Sequence, residues 1–144
     1  MKKFNFRLQK VLEYKEHIEK KRQQELAIIQ TRIDQAKQVL TDLNQEQNNY
    51  QTNCAESVIK GTTRENILMI EKYLQALKTK IKFQEGVLKQ QLMFFKQKQQ
   101  QLRAISNEKQ SLEKYKEQKK EEHEKNLMAI EQDFLDEIAL RKYK

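Results

Sequence analysis

The sequence predicts an all-α protein, an antiparallel two-helix coiled-coil hairpin with the second helix the longer. Three observations predict it. Proline is absent and glycine occurs only twice in 144 residues, whereas folds with many corners need both. Charged residues make up 35% and apolar residues 37% of the chain. That balance is too polar for a thick core and suits long helices with a narrow apolar seam. Apolar residues also recur at alternating three- and four-residue steps on both sides of a single break.

The first helix is expected over about residues 4–57. Leu26, Ile29, Ile33, Ala36, Leu40 and Leu43 follow the 3-4 alternation of a coiled-coil seam. The seam extends backward through Arg22, Glu19, Lys15, Leu12 and Leu8, and forward through Gln47, Tyr50 and Cys54, where it weakens. Asn48, Asn49, Thr52 and Asn53 are poor helix formers. Gly61 takes a positive φ without a Cβ clash, so a turn is expected at about 58–62. Thr62-Thr63-Arg64-Glu65 then matches a capping box, with Thr62 as cap and Glu65 reaching back.

The second helix is expected over about residues 63–141. Its seam runs Ile67, Ile70, Leu74, Leu77, Ile81, Gln84, Leu88, Gln91, Phe95, Lys98, Leu102 and Ile105. Gly86 interrupts it, as a gentle bend or as a close approach of the first helix, and Ser106-Asn107 is a second weak point. From Glu113 to Asn126 only Tyr115 is large and apolar, and the charges balance. An amphipathic stripe then returns at Leu127, Ile130, Phe134 and Ile138, with Leu135 beside it.

Folding about Gly61 as one hairpin of residues 1–144 pairs residue i with roughly residue 122 − i. The arms are then about 80 Å and about 115 Å long. The longer arm overhangs, and the 127–138 stripe has no intrachain partner. Such an apolar stripe is expected to be a docking surface.

The formal net charge is +8, a property that favours an acidic partner. The stretch 78–103 carries seven cations against Glu85 alone. The cations are mostly Lys spread over two arms, with no aromatic stacking platform, so nucleic acid is not an expected partner. Cys54 is the only cysteine, which excludes an intrachain disulfide and suits a reducing compartment. No apolar run approaches the ~18–20 residues that cross a bilayer, so no membrane insertion is expected. The start of the chain lacks the apolar core of a secretory signal. No glycine-rich phosphate loop exists, and His17 and His123 have no second ligand at metal spacing. The carboxylates sit on polar faces. No catalytic residue, cofactor or metal is expected.

The chain resembles the flagellar export protein FliJ family. The resemblance is carried by Phe4-Asn5-Phe6-Arg7-Leu8-Gln9-Lys10-Val11-Leu12 running into Lys20-Lys21-Arg22-Gln23-Gln24-Glu25-Leu26-Ala27, by Tyr73-Leu74-Gln75-Ala76-Leu77, and by the charged 113–126 tract followed by Phe134-Leu135-Asp136-Glu137-Ile138-Ala139. It implies a coiled coil similar to that of the ATP synthase γ subunit. It also implies a non-enzymatic stalk that binds and stimulates the flagellar type III export ATPase hexamer, contacts the export gate protein FlhA and export chaperones, and sits in the cytoplasm at the inner membrane of the flagellar base. Gate contacts are implied at Tyr73, Leu77, Lys80 and Gln84, which share a helix face. Lys80 and Gln84 depart from the family pattern, which has a small apolar residue and a histidine there, and Leu77 also falls on the seam. ATPase contacts are expected at Leu127, Ile130, Phe134 and Ile138 with Phe4 and Arg7. The alternatives are an injectisome YscO-type stalk and a helical-hairpin chaperone that escorts export substrates.

Overall fold

The computed structural model describes residues 3–142 and is all-α there. Its two helices, α1 (Gln9–Lys60) and α2 (Arg64–Lys142), pack against each other. The chain divides into two compact units, residues 23–100 and residues 1–22 with 101–144.

The first of these units holds the turn. Gly61 has φ 96° and donates its N–H to the Val58 carbonyl at 3.2 Å, ending α1. The helix therefore runs through Asn48, Thr52 and Asn53 to Lys60, further than propensity suggests. The Thr52 and Ser57 hydroxyls return their hydrogen bonds to the carbonyls of Asn48 and Asn53. The cap of α2 differs from the expected one. Thr63 Oγ1 accepts from the Asn66 N–H at 3.3 Å, while Thr62 Oγ1 accepts from the Asn66 side-chain amide at 3.2 Å. Thr63 is the N-cap, and Asn66 takes the position expected for Glu65.

The core of this unit is the expected seam: Ile29, Ile33, Ala36, Leu77 and Ile81 are buried, Ile33 and Leu77 at 2% exposure. Glu25 pairs with Lys98 at 3.3 Å, and the Tyr50 and Tyr73 rings stand 4.3 Å apart. Both contacts lie within one helical turn of the pairing predicted by folding about Gly61. Cys54 is half-buried. Ile67, beside the turn, is exposed, because α1 there offers Asn53, Cys54 and Ala55 instead of long aliphatic side chains. Gly86 does not mark a close approach: a Cβ built on it meets nothing within 4 Å. Gly86→Ala is therefore expected to stabilise the protein by about 0.5–1 kcal/mol, read as a raised urea midpoint with unchanged helicity.

In the other unit residues 3–6 form a strap without regular secondary structure, 7–8 form a turn, and α1 begins at Gln9 rather than near residue 4. The reason is periodicity. Phe4 and Phe6 alternate with polar residues, so a non-helical strap can turn both toward α2, whereas a helix would splay them. Phe6 is buried against Tyr115 (ring centroids 6.0 Å apart), and Phe4 lies 5.7 Å from the His123 ring. Leu12, in the first turn of α1, is also buried. The seam of α2 continues at three- and four-residue steps through half-buried Leu112, Lys116, Lys119 and His123.

Polar groups fix the same unit. Lys15 pairs with Glu108 at 2.6 Å and Lys109 with Glu19 at 3.1 Å. The Ser106 hydroxyl donates to Glu19 at 2.9 Å, so the expected weak point at Ser106-Asn107 is an anchor. The Glu19 carboxyl is held below its ordinary value near 4.5 by the Ser106 hydrogen bond and then by Lys109. A depressed carboxylate contributes stability above its unfolded pKa and loses it as pH falls through the folded value. Urea midpoints should therefore fall less between about pH 6 and about pH 3.5 in Glu19→Gln than in the wild type.

Candidate partner-docking surfaces

Among the described residues, three surfaces combine uncovered apolar side chains with the positions expected to meet partners. The first is the far part of α2. Beyond half-buried Leu127 every described residue is exposed, including Ile130 at 65%, Phe134 at 62%, Leu135 and Ile138. Helical spacing places Ile130, Phe134 and Ile138 on one stripe. Acidic residues flank it: Glu131, Asp133, Asp136 and Glu137.

The second surface is the strap against α2. Lys3, Phe4, Phe6, Arg7, Tyr115, Lys119 and His123 line a cavity of about 550 Å³ there. Lys119 Nζ stands 5.5 Å from the Tyr115 ring centre and 3.2 Å from Glu122. Phe4 is half-buried, whereas Arg7 is exposed. The cavity combines cations with aromatic faces, a chemistry that suits an acidic segment carrying an apolar side chain.

The third surface lies beside the turn-proximal seam. Val39, Leu43, Thr79, Lys80, Phe83 and Gln84 line a shallow groove of about 460 Å³. Phe83 is 73% exposed. Tyr73, partly exposed, donates its hydroxyl to the Glu46 carboxylate, and that hydrogen bond raises the phenol pKa by holding the proton on the ring oxygen.

The structure thus separates the four residues read as gate contacts. Lys80 and Gln84 reach the groove, and Tyr73 stands at the seam edge, tied to α1. Leu77 is core, buried in the seam at 2% exposure. Val39 and Phe83 are the residues that the sequence reading passed over. Their signal was present: each is a large apolar residue one place off the seam, next to Leu40 and Gln84.

Among the described residues, no three His, Cys, Asp or Glu side chains converge to hold a metal ion, and no helix is long and apolar enough to cross a membrane. A family model described as "Flagellar FliJ protein" matches residues 4–144. The chain belongs to the FliJ family. No curated protein and no solved structure matches it. As a FliJ family member it is a component of flagellar protein export, in a family of non-catalytic export proteins. The surfaces described above are candidate docking surfaces of this FliJ chain, apolar stripes and grooves rimmed by charge.

Proposed function

We propose that the protein acts as a stalk that binds and stimulates the export ATPase hexamer and links it to the export gate protein FlhA. The observation that carries this reading is the exposed stripe Ile130, Phe134 and Ile138, which nothing in the described chain covers. An uncovered apolar face of that kind costs free energy in water and is expected to be buried in a partner. The strap supplies the second half of the ATPase contact. Phe4 adds an apolar edge, and exposed Arg7 adds a cation for an acidic partner. The Lys80, Phe83 and Gln84 groove, with Tyr73 at its end, is the gate-facing surface, while Leu77 supports it from the core. Export chaperones are further partners, and the site of action is the cytoplasmic face of the inner membrane at the flagellar base.

The test is a turnover assay of the purified export ATPase with and without this protein. Stimulation that saturates near one copy per hexamer supports the stalk. Binding to export substrates in equal numbers with no effect on turnover rejects it in favour of an escort role.

A further inference from the structure

The far part of α2 and the strap cavity carry opposite chemistry within one compact unit, residues 1–22 with 101–144. From Leu127 to Leu140 the chain holds Glu131, Asp133, Asp136 and Glu137 and no cation, in a protein of formal net charge +8. Phe134 stands exposed among these carboxylates. Among the described residues, Glu131, Asp133 and Glu137 make no ion pair or hydrogen bond. The cavity has the reverse character. Lys3 and Arg7 are exposed and meet no carboxylate among the described residues, and the Phe4, Phe6 and Tyr115 rings line the same space. Its volume of about 550 Å³ admits a phenyl ring.

Phe134 cannot enter the cavity of its own chain. It lies beyond His123 on one continuous helix, about 16 Å further along the axis. We propose that a second copy of the chain supplies the occupant. The acidic stripe of one copy docks on the cationic strap cavity of the other, with Phe134 among the aromatic rings and Asp133 and Glu137 against Lys3 and Arg7. Two copies satisfy both contacts at once. Lys119, His123, Leu127, Ile130 and Phe134 follow one another at steps of four, four, three and four, so cavity and stripe share one side of α2. Antiparallel copies therefore make the same contact twice and close at two. Copies that pack stripe on stripe instead bring two sets of carboxylates together and leave both cationic cavities unmatched.

This inference does not depend on the stalk reading, and its test uses the isolated full chain. Sedimentation equilibrium at about 100 µM protein should give twice the 17.5 kDa chain mass in about 50 mM NaCl. The dissociation constant should rise at least about tenfold at ~500 mM NaCl. Phe134→Ala should raise it at least about tenfold at low salt. Lys3→Glu with Arg7→Glu should be monomeric, and so should Asp133→Lys with Glu137→Lys. An equimolar mixture of these two double variants should form a mixed dimer. The first keeps an acidic stripe for the basic cavity of the second, and the basic stripe of the second meets the acidic strap of the first. A single-copy mass at low salt, a mass that keeps growing with concentration, a dimer that survives Lys3→Glu with Arg7→Glu, or two monomers in the mixture each overturns the proposal. All substituted positions are exposed, and unchanged far-UV circular dichroism verifies folding.

Discussion

Ile130→Asp, Phe134→Asp and Ile138→Asp, introduced together, are expected to abolish stimulation of the export ATPase while leaving helicity and thermal midpoint nearly unchanged. These side chains have no intrachain cover, so replacing them removes no packing from the folded state. In a complex, each buried side chain of this size contributes about 1.5–3 kcal/mol of transfer free energy. Three carboxylates in the same interface lose that gain and add a desolvation cost. The affinity loss should exceed a factor of about 1,000, which at micromolar protein appears as no stimulation. Control substitutions at exposed Glu121 and Lys125, off the stripe, should leave stimulation intact. A folded triple variant that stimulates normally removes the far part of α2 from the ATPase contact.

Leu77→Ala is expected to have the largest effect on stability of any single change in the turn-proximal unit. Leu77 and Ile33 are its most buried side chains. Truncating a buried Leu costs about 2–5 kcal/mol, from lost transfer free energy and the cavity left behind. A two-helix seam can partly collapse around the gap, so about 2–3 kcal/mol is expected. The measurement is a urea denaturation curve, compared with Lys80→Ala and Phe83→Ala. Those two sit on the exposed groove and should each shift stability by less than about 0.5–1 kcal/mol. The gate-binding pattern should be the reverse. Phe83→Ala and Lys80→Glu should weaken FlhA binding in the intact fold, whereas Leu77→Ala should weaken it only as far as it unfolds the hairpin. Equal loss of binding from fully folded Leu77→Ala assigns Leu77 a direct contact.

The contrast between Leu77 and Lys80 shows how far the sequence is legible. Spacing placed Leu77, Ile81, Ile29, Ile33 and Ala36 on the seam, and all five are buried. Even the polar seam positions Lys15, Glu19 and Gln47 are half-buried, because period alone decides which face of a helix meets its neighbour. The pairing of Glu25 with Lys98 and of Lys15 with Glu108 followed from counting about one turn. Finer features did not follow. Two adjacent threonines can each cap a helix, and only the backbone path after Gly61 selects Thr63. The strap was hidden because Phe4, Phe6 and Leu8 fit a short period-two pattern that a helix-rich context overrides on paper. The groove was hidden because Val39 and Phe83 belong to different helices, and their proximity depends on the side-by-side register of those helices.

The amino-acid order by itself determined that the chain forms two helices, where they reverse, and which residues line the seam between them. These are properties of local period and of one glycine, and they need no knowledge of distant neighbours. The uncovered 127–138 stripe also followed from counting the arm lengths, whereas the tertiary structure alone decided that Phe6 is buried and that Val39 and Phe83 stay exposed beside the seam. Phe6 and Phe134 are both aromatic residues in polar surroundings, yet one is buried on Tyr115 and the other faces water. Burial depends on where the opposing chain ends, and beyond Leu127 no described segment lies over α2 to exclude water.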